Sequence, residues 1–391
     1  MTLGPGHKPK LPLEAVRILD LARLGPGPHS SQILGDFGAD IIKLEPPSKG
    51  GKELVVPDVI SRNTRSIRLN LKKPQGREVL EKIIATVDVV VEGFRPGVAK
   101  RLGLDYETLR KIKSDIISVS LSGFGQEGPY SRVVAHDLNY QSLTGIPHMT
   151  GEADGPPQIP GLAIADDAGG ISAALAILMA LFHKERTGEG QSVDLAMVDT
   201  LLNMMLLQLS DAHLSGSSPS RGKTVLTGQW AYYNVYACRD GKYLSVGAFE
   251  PWFWAKLCGL LGVEEFAERQ HPDSEAEARE QIRKLGEVFG TKDRDEWTEL
   301  LMFEDTCVTP VLSLDEVMAD RNHRGRGAIL AGSDLGEGFD DQVGMLFRMS
   351  RTPGRVRTPA PAVGQHTGEV LRELGYVESE IQDLEQTIST A

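Results

Sequence analysis

Cysteine is scarce: Cys238, Cys258 and Cys307 are the only three in 391 residues, too few and too widely spaced for a disulfide framework or a paired-cysteine metal site. They suit a reducing, cytoplasmic setting. Positive charge is also in deficit, with 42 Lys and Arg against 54 Asp and Glu, and the net −12 repels nucleic acid and anionic membrane over most of the surface. Long apolar runs are missing. The stretch GGISAALAILMALF at 169–182 falls short of a bilayer span and predicts a buried helix. The opening MTLGPGHKPKLPLEAVRIL lacks the apolar core of a signal peptide and the closing ISTA is no sorting signal, so a cytoplasmic protein is expected. There is no GxxxxGK[ST] phosphate loop and no GxGxxG after the first strand, because the prolines of RLGPGP at 23–28 make it a stiff turn. The nine histidines show no HExxH or other paired-ligand spacing, so neither a dinucleotide nor a metal site is expected.

What is present is an ordinary folded composition, 40% hydrophobic and 25% charged, in a chain long enough for two domains. Over the first two hundred residues, β-rich runs such as AVRILDLA, DIIKLEPP, DVVVEGF and DIISVSLSGFG alternate with helical patterns, which is the signature of a parallel α/β sheet. The expected organisation is a large α/β domain over 1–200, a linker helix and polar loop over 201–224, and a smaller α+β domain over 225–335. A Pro/Gly-rich arm and closing helices, 336–391, are expected to return to the large domain. Around Asp240 and Gly241, AYYNVYACRDGKYLSVGAF predicts a hairpin, with helices to follow at 251–262, 275–289 and 295–303.

Candidate chemistry gathers at element edges. His136 in AHDLNYQSLTG is either a base or a polar helix entry. Asp166 and Asp167 in AIADDAGGIS are either helix caps or acids. The small Ala168, Gly169 and Gly170 after them would let a ligand approach the helix N–H groups, which could hold an oxyanion. Glu250 precedes Pro251 at a helix start. Against the acidic background, Arg62, Arg65, Arg68, Lys72 and Lys73 form a basic stretch, and Arg95 sits at a strand's C-terminal edge. These residues are either a solvated face or a site for a polyanionic small molecule.

Nine ordered blocks carry a resemblance that covers almost the whole chain, among them ILDLARLGPGPHSSQILGDFGADIIKLEPP, RNTRSIRLNLKKPQGREVL, DVVVEGFRPGV, RTGEGQSVDLAMVD and GQHTGEVLRELGY. Together they resemble the class III coenzyme A transferase superfamily, and AHDLNYQSLTG, GAFEP and CVTPVL resemble its α-methylacyl-CoA racemase branch. The resemblance implies a Rossmann-like parallel-sheet domain with a smaller α+β domain, in an interlocked homodimer that acts on acyl-CoA without nucleic acid, membrane, metal or added cofactor. It also implies that His136 and Asp166 are the two bases of a 1,1-proton shift, and that Glu250 orients the histidine from the partner subunit. Coenzyme A contacts would come from Arg68, Leu69, Asn70, Leu71 and Lys72 on a strand, from Arg95, and from Ala135, Asp137 and Tyr140. N–H groups near Asp166 would receive the enolate oxygen. The alternative within the superfamily is a CoA-transferase with Asp166 as nucleophile, which needs no base at 136. Departures from the racemase pattern are Asp167 in place of an aromatic residue, Ala135 in place of glycine, Pro46 where a basic contact is usual, and Gln229 and Trp230 in place of a more glycine-rich segment, a change expected to reshape the acyl pocket.

Overall fold

A computed structural model describes residues 11–47 and 60–388. The chain forms two compact units: one comprises residues 1–144, 162–204 and 321–391, the other residues 145–161 and 205–320.

In the first unit, strands β1 (Arg17–Asp20), β2 (Asp40–Glu45), β3 (Thr64–Arg68), β4 (Val89–Glu92), β5 (Ile117–Ser122) and β6 (Ser192–Ala196) build one sheet. They pair in the order β3-β2-β1-β4-β5-β6, and every pairing is parallel. Helices α1 (Pro26–Asp36), α2 (Pro74–Ile84), α3 (Val98–Leu102), α4 (Tyr106–Ile112), α5 (Asp137–Leu143), α6 (Ile146–Met149), α7 (Ile164–Thr187) and α8 (Met197–Met204) follow in chain order, α6 lying in the second unit.

A parallel sheet is covered on both faces, so its strands are apolar at consecutive positions. The alternation of side chains then deals neighbours to opposite cores: Leu19, Ile42 and Val90 join one, while Ile18, Ile41, Val89 and Val91 join the other. Each such burial contributes about 1.5–3 kcal/mol. The first core is closed by Val79, Leu80 and Ile83 of α2, the second by Ile33 and Leu34 of α1 with Ala173, Ala174 and Ile177 of α7.

Helix α7 corrects two sequence expectations. Gly169 and Gly170 are buried against other helices: an added Cβ would lie 3.2 Å from Pro26 and 3.1 Å from Met197 at the first, and 2.8 Å from His29 at the second. They serve close helix packing, not ligand approach. The helix is also only half buried. It is 24 residues long and, by length and composition, apolar enough to cross a membrane, yet it packs its small face into the core. Ile171, Leu175, Leu178, Met179 and Phe182 stand exposed on the other side.

Segment 355–367 runs back along β3 and covers the sheet edge that would otherwise be unpaired. His366 N–H donates to Ser66 O (2.9 Å), Ser66 N–H to His366 Nδ1 (3.2 Å) and Arg68 N–H to Thr367 Oγ1 (3.1 Å). Just before β3, Asn63 takes a left-handed φ of 59° and its Oδ1 accepts Arg357 N–H (2.6 Å). Arg62 is buried and clamps Asp36 with two bonds of 3.0 and 2.7 Å, then donates to Val343 O (2.6 Å). Arg65 pairs with Asp40, Glu369 and Glu373. Two arginines of the basic stretch therefore tie the C-terminal segment to the sheet.

In the second unit, α9 (Leu206–Ser215) precedes a hairpin of β7 (Tyr233–Ala237) and β8 (Tyr243–Gly247) around Gly241, with β9 (Val308–Pro310) antiparallel to β8. Helices α10 (Pro251–Leu261), α11 (Glu275–Phe289) and α12 (Arg294–Leu301) complete its core around Trp254, Phe289 and Trp297. Residues 145–161 belong here because the Arg221 guanidinium donates to Gly155 O (3.1 and 2.9 Å) and His148 O (2.6 Å). Residues 321–335 belong to the first unit, where Ile329–Leu330 pairs with Gln342–Val343. Both assignments differ from a reading by contiguous stretches, since they rest on partners distant in sequence.

Removing one member of a buried ion pair strands the other's charge. Arg62→Ala is expected to lower the free energy of unfolding by about 3–5 kcal/mol, read from the shift of the urea midpoint at constant slope.

Candidate active site

The strand order reverses between β1 and β4, and at such a point the loops leaving the two strands diverge and open a crevice at the C-terminal edge. A buried carboxylate sets each exit. Asp20 at the end of β1 accepts Ala22 N–H (2.8 Å) and the Ser31 hydroxyl (2.7 Å), and Glu92 at the end of β4 accepts Phe94 N–H (2.6 Å). Burial pushes both acids above the usual carboxylate range. The crevice, about 260 Å³, is lined by Ala22 and Pro26 from one exit, Phe94 and Arg95 from the other, and Gly123, Ala135, His136 and Tyr140.

His136 is exposed at the N-terminal cap of α5, its N–H donating to Asn139 Oδ1 (3.0 Å). Tyr140, one turn on, is buried: its hydroxyl donates to Ala135 O (2.8 Å) and its ring meets Phe124 edge-on at 5.2 Å. Gly123 makes room for that ring, since a Cβ there would lie 2.2 Å from it.

Asp137 points away from the crevice's solvent side to α7. Its Oδ1 accepts Ala165 N–H (2.7 Å) and Asp166 N–H (3.2 Å), while Oδ2 accepts from Gln141 Nε2, which also donates to Leu162 O (3.2 Å). This overturns the expectation for an oxyanion at the helix start, because those donors already serve a carboxylate.

Asp166 is half-buried in the first turn of α7. Its carboxyl packs on Gly25, where φ is +65° and an added Cβ would come within 3.0 Å of it. Burial, then the charges of Asp137 and Asp167, push Asp166 up to about 6, and His136 opposes them. His136 is thus near enough for its charge to be felt at Asp166. Asp167 is exposed and turns the other way, 3.8 Å from His29 Nδ1.

Of the other expected contacts, Arg95, Ala135 and Tyr140 share the crevice with His136, whereas residues 68–72 lie at the end of β3, two strands away, and do not line it. That segment is strand only to Arg68, after which Asn70 turns the chain, its Oδ1 accepting Lys72 N–H (3.1 Å). Leu69 is buried in the core, so it offers no side-chain contact to a ligand. Glu250 stands at the N-cap position of α10 in the second unit, ahead of Pro251, makes no side-chain cap bond, and has its charge acting on Cys307. Sequence reasoning missed Gly25, hidden in a turn read as merely stiff, and Gly123. It also missed Gln141, whose role needs the α5–α7 approach.

Comparison with known proteins accords with this architecture. The model of CoA-transferase family III matches residues 13–367. The chain is 35% identical over 374 residues to alpha-methylacyl-CoA racemase of Mus musculus, covering 95% of this chain and 96% of the relative. It is 30% identical over 401 residues to succinyl-CoA–D-citramalate CoA-transferase of Chloroflexus aurantiacus, covering 97% and 98%. The crystal structure of a CaiB/BaiF family protein from Brucella suis is similar, with a TM-score of 0.81, 30% identity and coverage of 93% of this chain and 100% of that one. With the family model spanning the sheet, the crevice and the returning arm, the chain is a member of CoA-transferase family III.

Proposed function

We propose that this protein interconverts the R and S epimers of 2-methyl-branched acyl-CoA thioesters by a 1,1-proton shift through an enolate. The observation that carries the reading is an imidazole that lines the crevice and, at a second helix start within electrostatic reach of it, a carboxyl of raised proton affinity packed on Gly25. Inversion requires one group to take the α-proton from one face and another to deliver a proton to the opposite face. In the S-to-R direction, neutral His136 takes the α-proton and protonated Asp166 donates from the other side; the return direction reverses the roles. An acid near 6 is populated in both forms around neutrality, which suits a group that must both give and accept.

The shift moves no electrons, so the reading calls for no redox cofactor and no metal, and coenzyme A enters as part of the substrate. Its thioester end would meet His136 near Arg95 and its nucleotide would extend toward Arg68, Asn70, Leu71 and Lys72 along the same sheet edge. Pantetheine supplies the length to pass strands spaced about 4.8 Å apart. The free thiols of Cys238, Cys258 and Cys307 suit a cytoplasmic setting. An interlocked homodimer is supported by the exposed apolar stripe Ile171, Leu175, Leu178, Met179 and Phe182, which soluble surfaces seldom leave uncovered, and in it Glu250 of the partner subunit would stand beside His136.

The transferase reading retains support from relatives such as the formyl-CoA:oxalate CoA-transferase of Rhodopseudomonas palustris, 32% identical over 421 residues. There Asp166 would attack the thioester and His136 would be idle. A single-epimer 2-methylacyl-CoA in deuterated water separates the two: the racemase incorporates α-deuterium, and His136→Ala lowers that rate by at least ~10²-fold. Absence of incorporation, with coenzyme A passing to an added carboxylic acid, establishes the transferase instead.

Two further outcomes are expected. If Glu250 acts across chains, co-refolding inactive His136→Ala with inactive Glu250→Gln restores turnover, because each mixed dimer then contains one site free of both substitutions; action within one chain restores none. Asp166 sits above its unfolded value of 3.8, so its charged form is penalised in the fold and the stability it contributes is lost as pH rises through about 6. Asp166→Asn is therefore expected to melt higher than the wild type at pH 8, with the difference closing as pH falls from 6 toward 4, followed by thermal denaturation.

A further inference from the structure

We infer that Asp137 is a positioning residue that holds Asp166 in place and sets a negative charge against it, and that it acts through α7 instead of on the bound coenzyme A. The inference deepens the reading above and rests on Asp166 being the base for the R epimer.

Three bonds define the arrangement. Asp137 Oδ1 receives Ala165 N–H at 2.7 Å and Asp166 N–H at 3.2 Å, and Oδ2 receives Gln141 Nε2. The free N–H groups of a helix start are ordinarily capped by a residue just before it. Here Ala163, at the cap position of α7, makes no side-chain cap bond, and the acceptor comes from α5, 28 and 29 residues earlier. Asp137 directly follows His136, so one bond set fixes the two proposed bases relative to each other.

The same carboxylate places a negative charge against the Asp166 backbone. Among the described residues, the groups that face Asp166 are few. From α5 come Asp137, His136 and Tyr140, from α7 comes Asp167, and the loop entering α1 presents Gly25, which carries no charge. Asp167 is exposed and turned toward His29, so solvent weakens its effect. Burial is the main cause of the raised proton affinity of Asp166, and Asp137 is the larger of the two acidic influences that add to it. A charge bound to the helix start thus does two jobs: it satisfies the α7 donors, and it keeps a proton on Asp166 closer to neutrality.

Asp137→Asn separates the jobs. The amide oxygen still accepts the two α7 N–H groups, and Gln141 can rotate to offer Oε1, which has no hydrogen-bond partner in the wild type. The negative charge is lost, together with the Gln141 bond to Leu162 O that the rotation gives up, while the acceptor for the two α7 N–H groups is kept. The pH dependence of α-proton exchange from the R epimer, measured by NMR in deuterated water, has an acid limb governed by Asp166. In Asp137→Asn that limb is expected to move to lower pH, and the 13C-carboxyl titration of Asp166 to move with it. Asp137→Ala removes the acceptor as well and is expected to lower kcat by roughly 10²-fold with KM changed far less, since misplacement of a base costs rate more than binding. Should the alanine variant fail to fold, the asparagine variant decides alone. An acid limb and a carboxyl titration that stay at their wild-type positions in Asp137→Asn overturn the inference. Asp166→Asn is the control: if it leaves exchange from the R epimer intact, the assignment of Asp166 as that base falls instead.

Discussion

The bond from the Asp137 carboxylate to the start of α7 is the constraint on which this site depends. Without it, the helix that carries Asp166 would present unpaired N–H groups beside a half-buried acid. With it, α5 and α7 meet at one hydrogen-bonded corner, and consecutive residues His136 and Asp137 divide the labour. One faces the crevice and the other faces the scaffold. Gln141 extends the corner by joining Asp137 to Leu162 O, at the end of the segment that leads into α7.

That corner works only because the sheet puts it beside a crevice. The order β3-β2-β1-β4-β5-β6 makes the chain leave β1 and β4 in diverging directions, and Asp20 and Glu92 hold the two exits through bonds to N–H groups two residues on. Gly25 and Gly123 then keep the walls thin where Asp166 and Tyr140 must fit. Small residues and buried acids are thus spent on geometry here. The same holds for Arg62 and Arg65, whose charge ties the returning segment to β3 and is not available to a ligand.

Much of this was legible in one dimension. Apolar runs such as VVVE announced strands buried on both faces, and alternation with helical patterns announced parallel pairing. The Asp-Gly hairpin and the helix opening at Pro251 follow from local backbone preference alone. The candidate acids were visible as well, since His136 and Asp166 stand at element starts. Their meaning was less so. Gly169 and Gly170 read equally well as room for a ligand or room for a helix, and only the neighbours Pro26, Met197 and His29 decide.

The sequence by itself determined the fold class, the family and the residue types available for proton transfer, because periodicity, turn chemistry and ordered blocks are local properties. Tertiary structure alone decided which polar groups are already engaged. The donors of α7 read in one dimension as open for an oxyanion, whereas a carboxylate 28 residues upstream occupies them. The basic stretch reads in one dimension as open for an anion, whereas Asp36, Asp40, Glu369 and Glu373 surround its first two arginines. Hydrogen bonds and ion pairs reach only a few ångströms, and which groups come within that reach depends on how distant segments pack, which no local pattern states.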